Sequence, residues 1–192
     1  MVTSVSSHQC FHNQISKSRR PTNFKYSLDN YTGTYTNEGY GNITLCYSED
    51  RNPTEHCAAV LRDFAIAGKD TEGNGKPQLL AHWPRVWFSH LRVIPEIIDD
   101  ANEVFFVKVS NLFTEGYGND KTPFEYYRDA LDGVTDVFRI DYTEQEGVKR
   151  VAGFTICGFS GLPERYGDNC EKFRAGEEVH EGWLVRFTKV EI

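Results

Sequence analysis

The chain has 192 residues, 39% of them hydrophobic, and a net charge of −7, which suits a single domain burying about two-thirds of its unfolded surface. Thirteen Phe, ten Tyr and three Trp against one Met are the palette of sheets more than of helical bundles. Beyond residue 20 there are 28 acidic and 18 basic residues, with no basic stripe interleaved with aromatics and no run of about eighteen apolar residues, so the expected partners include no nucleic acid and no membrane.

In chain order, residues 1–22 are polar, serine-rich and basic and end near Pro21, which reads as a disordered tail or linker. This segment lacks the apolar stretch of a signal peptide, so the localisation is left unknown. Residues 23–192 are expected to form one domain. "YTGTYT" and "GNITLCY" are β-prone runs joined by "NEGYG", whose Gly39 and Gly41 are expected to supply a positive φ for a hairpin. A helix is predicted over 54–67, opened by Pro53 and the cap candidate Thr54, with Ala58, Leu61, Phe64 and Ala65 on one face and a stop at Gly68.

"HWPRVWFSHLRVIPEI" then returns to a period of two and is read as one strand bracketed by Pro84 and Pro95. An unbroken strand would hold His82 and His90 roughly 27 Å apart at about 3.3 Å per residue, too far to share a metal or a proton relay. "VFFVKVSNLF", "PFEYYRDA", "VTDVFRIDY", "KRVAGFTICGF" and "GWLVRFTKV" follow as strands, with a hairpin turn at Gly147. The sum is mainly β: about eight antiparallel strands in sequential order, with one helix inserted after the first hairpin. A closed barrel removes the exposed edges a flat sheet would leave, and a two-sheet sandwich is the alternative.

Five cysteines, at 10, 46, 57, 157 and 170, do not have zinc-ligand spacing, and neither metal nor cofactor is expected. Cys46 closes the second strand and Cys57 opens the helix, so a disulfide between them would pin helix to hairpin; two free buried thiols are the alternative. Asn30-Tyr31-Thr32 and Asn42-Ile43-Thr44 are glycosylation sequons, and with that disulfide they lean toward a secretory history.

No catalytic constellation emerges. HExxH and P-loop motifs are absent, "GYGN" at Gly39 and Gly116 reads as turn chemistry, "GFSGL" around Ser160 lacks the nucleophile-elbow spacing, and His180 sits in an acidic loop. Arg85, Arg92 and Arg139 fall in aromatic-rich strands, where an arginine pairs with a carboxylate, stacks on a ring or lines a polar pocket. If the barrel is hollow, Trp87, Phe105, Phe138 and Phe154, with Arg92 and Arg139, would line a site for an apolar small molecule.

The blocks "YTGTYTNEGYGNITLC", "LLAHWPRVWFSHLRV", "LFTEGYGNDKTPFE" and "VAGFTICGFSGLPERYG" resemble the C-terminal domain of fungal β-lactamase-like serine hydrolases, similar to penicillin-binding peptidases of the S12 kind, over roughly residues 20–192. The resemblance implies a lipocalin-like antiparallel up-and-down barrel, a secreted setting, and a role beside a separate serine hydrolase catalytic domain, in cis or in trans, or in self-association. The catalytic domain of such enzymes carries S-x-x-K, whose Ser is the nucleophile and whose Lys activates it. No serine here is followed by Lys three residues later. "YTN" at Tyr35–Asn37 and "HEG" at His180–Gly182 match the remaining motifs by letters alone. The reading is an accessory barrel without its enzyme, with no catalytic residues; the alternative is a lipocalin-like binder.

Overall fold

The computed structural model describes residues 27–68, 77–86, 88–97, 103–127, 136–157, 166–179 and 184–190. The expected tail, Trp87, Ser160 and His180 lie outside the described residues.

The first hairpin pairs β1 (Gly33–Asn37) with β2 (Gly41–Tyr47). Its turn is shaped by Asn37, whose Oδ1 accepts from the backbone N–H groups of Gly39 and Tyr40 at 2.8 and 2.9 Å, an Asx turn. Of the two glycines expected there with positive φ, Gly41 alone has it, at 71°. Helix α1 (Glu55–Ala67) follows, with Thr54 Oγ1 accepting from the Cys57 N–H and Gly68 at the C-terminus. Its buried face is Cys57, Val60, Phe64 and Ala67, the stripe of an amphipathic helix lying on a sheet.

Strands β3 (Leu79–His82), β4 (His90–Ile97), β5 (Glu103–Phe113), β7 (Asp136–Gln145), β8 (Val148–Cys157) and β9 (Leu184–Lys189) complete a ring. Its order is β1-β2-β3-β4-β5-β7-β8-β9, with β9 returning to β1, and every pairing is antiparallel. The result is a closed eight-stranded up-and-down barrel of the lipocalin-like kind. Strand β6 (Phe124–Tyr127) stands outside the ring, paired with the far end of β5 from Ser110↔Tyr127 to Phe113↔Phe124. Between β7 and β8 the chain turns through Glu146 and Gly147 at φ 52° and 75°, the left-handed pair that a two-residue hairpin demands.

Two elements differ from expectation. The strand predicted through residues 82–97 is a hairpin: Trp83 N–H donates to Ser89 O at 2.8 Å and Arg85 N–H to Phe88 O at 2.7 Å, with Val86 86% exposed at the bend. The alternating pattern ran unbroken through the bend because both arms are β-prone, and Pro84 marks the turn rather than the strand's edge. The second is helix α2 (Tyr166–Arg174), which carries too few apolar residues to show a helical stripe. It is held by the Cys157–Cys170 disulfide and by Phe173, which is fully buried beside Val104. The expected disulfide Cys46–Cys57 is formed, with a Cα–Cα distance of 5.4 Å. Each helix is thus stapled to the barrel wall, each closure contributing about 3 kcal/mol in the chain-entropy account.

Candidate functional site

Alternation along each strand decides what faces inward. In β5, β7, β8 and β9 the inward residues include Phe105, Phe138, Phe154 and Phe187, none more than 1% exposed. They form a continuous column. Tyr31, in a short 3-10 helix (Leu28–Tyr31) at one barrel end, meets Phe105 edge-on at 5.4 Å between centroids. Phe105 meets Phe138 at 5.5 Å, Phe138 stacks on Phe154 at 4.1 Å, and Phe154 stacks on Phe187 at 4.8 Å. Phe187 then meets Trp83 at 5.7 Å, and the Arg85 guanidinium lies 4.1 Å over the Trp83 ring. Trp83 Nε1 donates to the Tyr40 carbonyl at 3.4 Å, joining the β3–β4 turn to the first hairpin at that end. The three phenylalanines expected to line the interior do face it, and there they lie against one another, with no gap between successive rings.

The two arginines assigned to the same interior lie on the outside of the wall. Leu91 and Val93 point in, so His90 and Arg92 point out; Phe138 and Ile140 point in, so Arg139 points out. Arg139 sits 4.2 Å over the Phe173 ring of α2 and reaches the Phe173 carbonyl at 3.5 Å. Arg92 lies beneath α1. Its Nε and Nη2 donate to the two carboxylate oxygens of Glu125 on β6 at 2.9 and 2.7 Å, Nη2 also donates to the Gly68 carbonyl at 3.0 Å, and Phe64 covers it at 4.5 Å. Both side chains of the pair are 3% exposed, so this is a desolvated, bidentate ion pair.

The β3–β4 hairpin also brings His82 and His90 into register as direct partners, with ring centroids 4.9 Å apart, where an unbroken strand would have separated them. His90 is enclosed: Phe64 meets its ring edge-on at 5.4 Å, Ser89 Oγ and His90 Nδ1 share a hydrogen bond of 2.8 Å, and Nε2 stands 3.8 Å from Asp63 Oδ2. That last separation is too long for a hydrogen bond, so His90 Nε2 is buried without a hydrogen-bond partner, as is Ser110 Oγ on the neighbouring strand. Burial first, and the His82 charge second, lower the His90 pKa to about 4, against the opposing pull of Asp63 and Glu125. Imidazole is therefore neutral here at physiological pH. Sequence reasoning missed this cluster because its distance argument assumed one strand; Pro84, two residues before Val86, was the available sign of a turn.

No family model, no curated protein and no solved structure matches this chain.

Among the described residues no group of three or more His, Cys, Asp or Glu is placed to hold a metal ion, and no helix is long and apolar enough to cross a membrane. Ser89, His90 and Asp63 come together, but the serine bonds to Nδ1, the carboxylate is out of hydrogen-bond reach, and the Ser89 N–H already donates to the Ser110 carbonyl at 3.0 Å. Nothing in that arrangement presents donors to an oxyanion. The sequon asparagines Asn30 and Asn42 are both exposed. The surface also carries an aromatic ridge. Tyr117 is 71% exposed and Tyr126 is 56% exposed, and Phe113 stacks on Phe124 at 4.7 Å and meets Tyr117 at 5.6 Å. Cross-strand pairing of Phe113 with Phe124 and Asn111 with Tyr126 puts these side chains on one face of the β5–β6 hairpin.

Proposed function

We propose that the chain is a non-catalytic accessory barrel that works through its outer surface, beside the catalytic domain of a β-lactamase-like serine hydrolase. The observation that carries this reading is the aromatic column. A barrel with a continuous column of rings in mutual contact from Tyr31 to Trp83 inside it suits a rigid block whose function lies in what it holds or covers. The sequence blocks that resemble the C-terminal barrels of such hydrolases agree with that role, as does the lack of any S-x-x-K. The aromatic ridge on β5–β6 is the face a catalytic domain would cover, since exposed aromatic clusters are the usual mark of a protein contact. Two disulfides and two exposed sequon asparagines favour an oxidising, secretory setting, and glycan on Asn30 and Asn42 would appear as a mass loss on deglycosylation of the secreted chain.

Two measurements test the reading. Chromogenic β-lactams, esters and D-amino-acid amides are expected to survive incubation with the purified chain; turnover abolished by a single Ser-to-Ala change would refute it. Titration with a fluorescent fatty acid should show no saturable site in the native protein, whereas Phe138→Ala with Phe154→Ala, which empties part of the column, should create one. Saturable binding by the unaltered barrel would favour a small-molecule carrier instead.

A further inference from the structure

The seam between α1 and the barrel is built differently at its two ends. At the N-terminal end the helix is fixed covalently by Cys46–Cys57. Toward the C-terminal end the contact is mixed: Val60 and Phe64 lie on Leu80, while Asp63, His90 and the Arg92 contact to the Gly68 carbonyl form a polar margin. Two buried polar atoms in this margin, His90 Nε2 and Ser110 Oγ, have no hydrogen-bond partner, and their strands pair at His90↔Ser110. Groups of that kind recover hydration when the seam opens, so they weaken the closed state locally. We propose that α1 is an acid-released flap: protonation of His90 frees the C-terminal half of the helix from the barrel, while the Cys46–Cys57 disulfide retains its first turn.

The charges facing His90 come from each element around it. Asp63 approaches from α1, His82 from β3 and Glu125 from β6, with Arg92 two residues along on β4 and the uncharged Ser110 on β5. Glu125 is already matched by the bidentate Arg92, and Asp63 is 37% exposed, so solvent screens it. Neither offsets the loss of hydration on an imidazolium that is 5% exposed and beside a second histidine. With the flap open, the ring regains water and its ordinary basicity. Acid therefore draws the equilibrium toward the open form, because that form binds the proton more tightly. Opening uncovers Phe64 and Leu80, an apolar strip hidden at neutral pH.

Hydrogen exchange followed by mass spectrometry, corrected for intrinsic rates, reads this directly. Between about pH 7.5 and about pH 5 the opening equilibrium of helix peptides spanning 58–68 should rise about 30-fold, from a histidine that titrates near 6.5 when open and near 4 when closed. Peptides from β7 and β8 should keep their protection over the same range. His90→Gln should abolish the pH dependence, and Asp63→Asn, which removes a group favouring the imidazolium while leaving His90 in place, should leave the rise down to about pH 5 nearly as it is and extend it further at lower pH. Loss of protection in helix and barrel together, no change in the helix, or an unchanged pH response in His90→Gln would each overturn the proposal.

Discussion

Removing the Glu125 carboxylate should be among the most damaging single changes to this protein. Glu125→Ala leaves the Arg92 guanidinium, 3% exposed, with the Gly68 carbonyl at 3.0 Å and the Phe64 ring as its remaining partners, after losing two charge-assisted hydrogen bonds of 2.9 and 2.7 Å. Breaking one side of a buried pair in this way costs about 3–5 kcal/mol, because an uncompensated charge stays in the interior. Against a total stability of about 5–15 kcal/mol for a domain of this size, that is about a fifth or more. Replacing both partners at once, Arg92→Met with Glu125→Leu, removes the stranded charge and should restore stability to near the native value. Urea unfolding followed by far-ultraviolet circular dichroism, with an unchanged m-value, measures both variants. If Glu125→Ala costs less than about 1 kcal/mol, the pair behaves as a solvated surface pair and the desolvation argument fails.

Gly153→Ala should lower the thermal midpoint by several degrees, since a Cβ there would collide with the backbone carbonyl of Phe187 on β9; overpacking against backbone costs about 1–3 kcal/mol, and an unchanged midpoint would show that the β8–β9 contact is looser than described. Replacing Cys157 and Cys170 together by Ser should cost about 3 kcal/mol in chemical denaturation and strip exchange protection from α2 before the barrel. At the alkaline end, Tyr35 is buried with its hydroxyl donating to the Tyr31 carbonyl at 2.8 Å, and burial pushes its pKa well above the ordinary tyrosine value. The unfolded chain loses that proton first, so stability should be intact below about pH 10 and fall as the pH rises further. Melting curves across that range, compared with Tyr35→Phe, whose alkaline slope should be shallower, check the assignment.

The barrel was legible because its strands carry a period-two pattern and short connections, and α1 because Thr54 and Gly68 punctuate it at both ends. What escaped depended on relations between strands. Arg92 and Arg139 read as interior residues until the register fixed which way each strand faces, and one position of parity carries a side chain from the core to the outer wall. His82 and His90 became neighbours only through a turn whose flanks look as β-prone as the turn itself. Helix α2 is anchored by the buried Cys170 and Phe173, so a bond to Cys157 takes the place that a hydrophobic stripe has in α1, and no periodicity announces it.

The barrel closes where β9 meets β1, through Tyr35↔Lys189, Thr36↔Thr188 and the hydrogen bond from Val190 N to Thr34 O. Every other pairing in the ring joins strands nearer in sequence, while this seam needs the first and last described strands to find each other. That pairing carries the largest loop-closure cost in the ring, and a chain that has not made it presents two open edges, one from β1 and one from β9, to any other chain in reach. A circular permutant that joins Val190 to Ser27 by a short linker, keeping the Leu28–Tyr31 turn with its buried Tyr31, and opens the chain at the exposed Glu146–Gly147 bend would turn this long-range contact into a local one. Such a protein should keep the same barrel yet refold faster and aggregate less.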